Sequence, residues 1–109
     1  MVQVTLTMVV HPRRRAEMVH ALRLLMLPLQ AASGFISCRI CLEADDANTI
    51  FYLEEWHTTE DLDRQIRSTH YSRLLSIMEA AVEPPELRLN WVTDVKGLEY
   101  LEAVRLCDP

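Results

Sequence analysis

FYLEEWHTTEDLDRQIRSTHY, residues Phe51 to Tyr71, decides how this chain of 109 residues folds. The first six residues alternate as a strand does, with Tyr52, Glu54 and Trp56 on one side and Phe51 and Leu53 on the other. Thr58-Thr59-Glu60-Asp61 then reads as a helix N-cap followed by acids in the first turn. Leu62 and Ile66 lie one turn apart on a short helix, and Ser68 caps a second helical segment. Its apolar stripe is Tyr71, Leu74, Leu75, Met78 and Val82, and Pro84-Pro85 ends it. The stretch also holds most of the side chains able to do chemistry: Tyr52, Glu54, Glu55, Trp56, His57, His70 and Tyr71.

Upstream, Val2, Val4, Leu6, Met8 and Val10 alternate with Gln3, Thr5, Thr7 and Val9, the pattern of a half-buried strand. His11-Pro12 ends that strand, and Met18, Leu22, Leu25 and Leu29 recur at helical spacing, which predicts a helix from about Pro12 to Ala31. Pro28 should kink or shorten its end, and Ser33-Gly34 stops it. Phe35 to Glu43 reads as a second strand, and the turn Ala44–Asn48 joins it to Thr49–Trp56 as a hairpin. Leu87, Leu89, Trp91, Thr93 and Val95 alternate as a fourth strand. The order is β-α-β-β-α-β, an α+β ferredoxin-like arrangement with an antiparallel sheet. It occupies residues 1–96, and residues 97–109 form a tail, a short amphipathic helix or a docking arm.

Both helices of this fold cover one face of the sheet. The third strand offers Ile50, Tyr52 and Trp56 to one face and Phe51 and Leu53 to the other. The second offers Ile36, Cys38, Ile40 and Leu42 against Phe35 and Cys41. Two helices cannot cover two apolar faces, so a symmetric homodimer packed sheet on sheet is expected.

Half the residues are hydrophobic, a quarter are charged and the net charge is −5. No basic face stands out, so nucleic acid is not an expected partner, and Arg13-Arg14-Arg15 reads as a solvated run. The apolar run Leu24–Leu29 is too short to span a bilayer, and the N-terminus has no basic leader. Cys38, Cys41 and Cys107 are an odd set of thiols, read as reduced and cytoplasmic. Cys38-Arg-Ile-Cys41 lies in a strand, where residues three apart point to opposite faces. Two buried core cysteines are expected rather than a metal knuckle. No His/Asp/Glu set has metal-ligand spacing, and two glycines allow no phosphate loop.

With its elements in this order the chain resembles the antibiotic biosynthesis monooxygenase family, over about residues 2–95. The resemblance rests on Glu54-x-Trp56, Thr58-x-Glu60-x-Leu62 and Ser68-x-His70-Tyr71, with Pro12 after the first strand and Ser33-Gly34-Phe35 leading into the second. It implies a dimeric α/β barrel with a pocket between sheet and helices. It also implies oxygen insertion into quinols or polycyclic phenols without metal, flavin or other cofactor. Other members degrade heme, act as isomerases or decarboxylases, or have no known activity. Gln65 stands where the family commonly has a His nine residues after the Trp. The pocket Asn, pocket Trp and iron-ligating His of the heme-degrading branch fall at Leu6, Gln65 and Leu75, so heme degradation is not expected.

The site residues expected on this reading are few. Trp56 and Tyr52 would wall a pocket for a small aromatic ligand, or Trp56 would anchor the core. Glu54, if it faces the helices, would be a general base with a raised pKa, or it would reach solvent or an Arg. His70 at a helix start would accept a phenol proton, or bond a backbone group. Gln65 and Tyr71 complete the substrate-binding set. The leading function is a cofactor-independent monooxygenase of quinol-like or polyphenolic substrates. The alternative is a non-catalytic dimeric barrel that binds a small ligand or a partner protein. A closed apolar interior filled by Leu6, Met8 and Leu75 would favour the second, and Glu54 and His70 converging on an open pocket would favour the first.

Overall fold

A computed structural model describes residues 1–107. β1 (Val2–Val9) alternates between buried and half-buried positions, as its sequence dictates. A 3-10 turn at Pro12–Arg14 leads into α1 (Arg15–Leu29), which buries Met18, Leu22, Leu25 and Leu29. Pro28 lies in the last turn, and the helix ends one residue later. β2 (Phe35–Leu42) and β3 (Thr49–Trp56) form the hairpin, and α2 (Thr59–Ile66) follows with the Thr58 hydroxyl accepting from the Asp61 N–H at 3.1 Å. α3 (Thr69–Met78) comes next. Ser68 sits at its N-cap position but donates to the Gln65 carbonyl at 2.6 Å, so it ties α3 to α2 instead of capping.

β4 (Glu86–Trp91) closes an antiparallel sheet of order β2-β3-β1-β4, the ferredoxin-like order. The strand stops at Trp91 and not at Val95. Its one neighbour among the described residues, β1, begins opposite Trp91, and the last ladder bond runs from the Val92 N–H to the Met1 carbonyl at 2.8 Å. The sheet is open, with β2 and β4 as edges. α4 (Leu98–Leu106) follows six residues later.

The core lies between the sheet and α1, α2 and α3. It contains the inward residues of β1 together with Ile50, Tyr52, Trp56, Leu62, Tyr71 and Leu74. Leu75, read as part of the stripe of α3, is half exposed, and so is Val82. The hairpin register has an irregularity between Phe35 and Ser37, which pairs Phe35 with Trp56 and Cys38 with Glu54. Facing partners share a side of the sheet, so this bulge moves Phe35 to the helix face, against simple alternation. Its ring meets Trp56 edge-on at 5.7 Å. Cys38 and Cys41 do fall on opposite faces, but Cys38 is half-buried and Cys41 exposed, not two core thiols.

The second face of the sheet is less apolar than β3 alone implies. Phe51 and Leu53 stand there among Ser37, Arg39, Thr5, Thr7 and Arg88. Glu55 accepts from Ser37 at 2.6 Å and from Gln3 at 3.0 Å on the same face.

Gly34 fixes how α1 enters β2. Its φ is 78°, and a Cβ there would lie 1.9 Å from Asp61 Oδ2 and 2.5 Å from Asp61 Cβ. Gly34→Ala is therefore expected to destabilise the fold by about 1–3 kcal/mol. The check is a lower denaturant midpoint at unchanged slope. A change within about 0.5 kcal/mol, the level of ordinary surface substitutions, would contradict this role.

Candidate active site

Tyr52, Glu54 and Trp56 take successive inward positions on β3, so all three side chains enter the layer beneath the helices. All three are fully buried. The Tyr52 hydroxyl donates to Glu54 Oε2 at 2.5 Å, and the Trp56 indole N–H donates to Oε1 at 3.0 Å. α3 supplies two more partners from consecutive residues. The Tyr71 hydroxyl donates to Oε1 at 2.8 Å, and His70 Nε2 lies 3.3 Å from Oε2. Each carboxylate oxygen thus has two partners, and among the described residues no Arg or Lys pairs with Glu54.

Burial alone would push the Glu54 carboxyl up. Hydrogen bonds from His70, Tyr52, Trp56 and Tyr71 outweigh it and hold the group below the usual carboxylate range. The raised pKa read from the sequence is overturned, because alternation places donors as well as burial around the acid. Glu54 is therefore a buried carboxylate that accepts on both oxygens, and a weak base. Burial, then the charge of Glu54, pushes the Tyr52 and Tyr71 hydroxyls well above their usual range, so both remain neutral donors.

His70 occupies the second residue of α3 and is 8% exposed. A carboxylate facing Nε2 selects the tautomer with the proton on that nitrogen. Nδ1 then carries a lone pair. It is buried and has no hydrogen-bond partner. A carboxylate that orients an imidazole, with the far nitrogen free, is the arrangement of a general base in carboxylate–histidine pairs.

The other expected residues divide. Tyr71 joins the cluster through its hydroxyl. Tyr52 and Trp56 join it through their polar ends, while their rings lie within the core and not along an open wall. Gln65 is half-buried on α2, and only its backbone carbonyl bonds nearby, to the Ser68 N–H and hydroxyl. Cys38 was not read as part of the site. It faces Glu54 across the hairpin and its thiol adjoins the Tyr52 hydroxyl. Burial pushes that thiol up to about 11. Counting the hairpin register back from the turn would have found it.

Surface depressions lie elsewhere, one of about 400 Å³ along α4 at Tyr100, Leu101, Val104 and Arg105. Another of about 340 Å³ sits between α1 and α3, lined by Ala21, Leu24, Leu25, Arg73, Ser76 and Ile77. Two more, of about 320 and 310 Å³, lie on the open sheet face around Phe51 and Leu53. Glu54 and His70 converge, but beneath a closed surface. Among the described residues no three His, Cys, Asp or Glu side chains gather as a metal set, and no helix is long and apolar enough to cross a membrane.

The family model described as antibiotic biosynthesis monooxygenase matches residues 1–75. Among curated proteins none matches the chain. Solved structures match in fold. A conserved protein from Methanosarcina mazei Go1 is 22% identical with a TM-score of 0.75, over 82% of this chain and 89% of its own. Rv0793 from Mycobacterium tuberculosis is 21% identical with a TM-score of 0.77, over 88% and 98%. An antibiotic biosynthesis monooxygenase is 17% identical with a TM-score of 0.74, over 86% and 100%.

Proposed function

The chain belongs to the antibiotic biosynthesis monooxygenase family, and we propose that it oxygenates a small quinol-like or polyphenolic substrate without a resident metal or flavin. One observation carries the proposal: His70 is oriented by a buried carboxylate and keeps Nδ1 buried and unpartnered. On this reading Nδ1 takes the phenolic proton, and Glu54 stabilises the imidazolium that results. The electron-rich phenolate then reacts with dioxygen. One oxygen atom enters the ring and the other leaves as water, and the substrate supplies all four electrons by ending at the quinone level. Tyr52, Trp56 and Tyr71 act as positioning residues through Glu54. On this reading the substrate reaches Nδ1 past the corner at Arg67-Ser68, where α2 ends and α3 begins.

We also propose that the protein works as a homodimer through the open face of the sheet. Phe51 and Leu53 there are rimmed by Arg39, Glu55, Glu86 and Arg88, charges of both signs that can pair across a two-fold axis. The three free thiols fit a reducing, cytoplasmic setting.

A second reading, a barrel that binds without catalysis, is favoured by the closed surface over the cluster and by the full set of donors on Glu54. Spectroscopy separates the two. A phenol whose anion absorbs at longer wavelength should bind to the wild type as the phenolate below its solution pKa, and to His70→Ala as the neutral form. Binding in the neutral form to both proteins would leave the second reading standing.

A further inference from the structure

Among the described residues α4 has no other element packed substantially against it, and Leu98, Tyr100, Leu101 and Val104 are all more than half exposed. A nine-residue helix is below the length that persists alone in water. Its start is nonetheless set by local contacts: Glu99 Oε1 accepts from the Gly97 N–H at 3.0 Å, and Lys96 Nζ lies 5.1 Å from the centre of the Tyr100 ring. The arm is formed, and its apolar side lacks a surface.

The same chain has an apolar surface that lacks an arm. On β4, Leu87, Leu89 and Trp91 face the helix side of the sheet, opposite Leu6, Val4 and Val2. α2 reaches this edge at one point, where Thr59 Oγ1 accepts from the Trp91 indole N–H at 2.9 Å, and the three side chains are still 42%, 39% and 57% exposed. The strip spans four residue steps, about 13 Å at the rise of a strand. The nine residues of α4 also span about 13 Å at the rise of a helix. The chain leaves the strip at Val92, whose N–H donates to the Met1 carbonyl, and residues 93–97 beyond it are exposed.

We propose that α4 of one copy docks on the Leu87–Leu89–Trp91 strip of a second copy, and that the exchange is reciprocal. The symmetry is that of the homodimer proposed above, and the inference rests on that reading. Each arm buries Leu98, Leu101 and Val104 against the partner strip, and the two arms clasp a dimer already joined through the open sheet face.

Sedimentation equilibrium tests the arm against the dimer. The full chain is expected to be a dimer at micromolar concentration. Leu101→Asp with Val104→Asp, both at exposed positions, should weaken it by about 100-fold or more. A dimer of unchanged affinity in that variant overturns the arm and leaves the dimer standing. A full chain that is monomeric overturns both. Partner exchange is read separately. With the native cysteines replaced by serine, Leu89→Cys and Leu101→Cys should oxidise to a covalent dimer. An internally linked monomer would show that the arm folds back on its own strand and overturn the exchange.

Discussion

Glu54→Ala is expected to lower the unfolding free energy by about 3–5 kcal/mol. The substitution removes the one acceptor shared by Tyr52, Trp56, Tyr71 and His70. Each donor left buried without a partner costs about 1–3 kcal/mol, and partial rearrangement keeps the sum below simple addition. For a domain with a total stability of about 5–15 kcal/mol this is a large fraction. Glu54→Gln should cost less, because its carbonyl oxygen can still accept from Tyr71 and Trp56. Denaturant unfolding of both variants measures the difference. Equal stability of wild type and Glu54→Ala would mean that the cluster contributes nothing.

The same network gives stability two edges in pH. The folded-state pKa of Glu54 lies below its unfolded value. Its contribution is therefore present above the ordinary carboxylate range and is lost as pH falls through the depressed value. Tyr52 and Tyr71 have folded values raised above the unfolded one. Their contribution is intact below about pH 10, the ordinary tyrosine value, and is lost as pH rises beyond it. Glu54→Gln should flatten the acid edge.

His70→Ala is expected to lower kcat/KM for oxygenation by about 10²–10⁴-fold, the usual worth of a positioned general base. Its effect on stability should be smaller than that of Glu54→Ala, since Glu54 keeps three donors and Nδ1 has no partner to lose. The two substitutions thus separate the roles. On the proposed function Glu54 holds the core and aims the imidazole, and His70 does the chemistry.

The fold was legible because periodicity is a local signal. Val2 to Val10 and Ile50 to Trp56 alternate without interruption, and Thr58 with Asp61 makes the cap that its spacing promises. Phe35 was misplaced because a bulge is a pairing event between strands, and one strand's alternation does not record it. Glu54 was placed on the correct face, but the direction of its pKa needed the donors around it. Two of those come from α3, and no spacing along the chain brings Tyr71 within 2.8 Å of Glu54. Leu75 was read as buried because α3 looks apolar over a wider arc than the sheet can cover. Leu87, Leu89 and Trp91 show the converse: alternation gives the face, and only the extent of the helices decides whether that face is covered.

Oxygen consumption tests the central claim, that Glu54 and His70 form a base acting on an electron-rich phenol. A panel of naphtho- and anthra-hydroquinones is offered to wild type and His70→Ala, with the fold of the variant checked by circular dichroism. The account predicts oxygen uptake above background with at least one substrate and its loss in His70→Ala. Equal rates in the two proteins, or no uptake by the wild type across the panel, would contradict it.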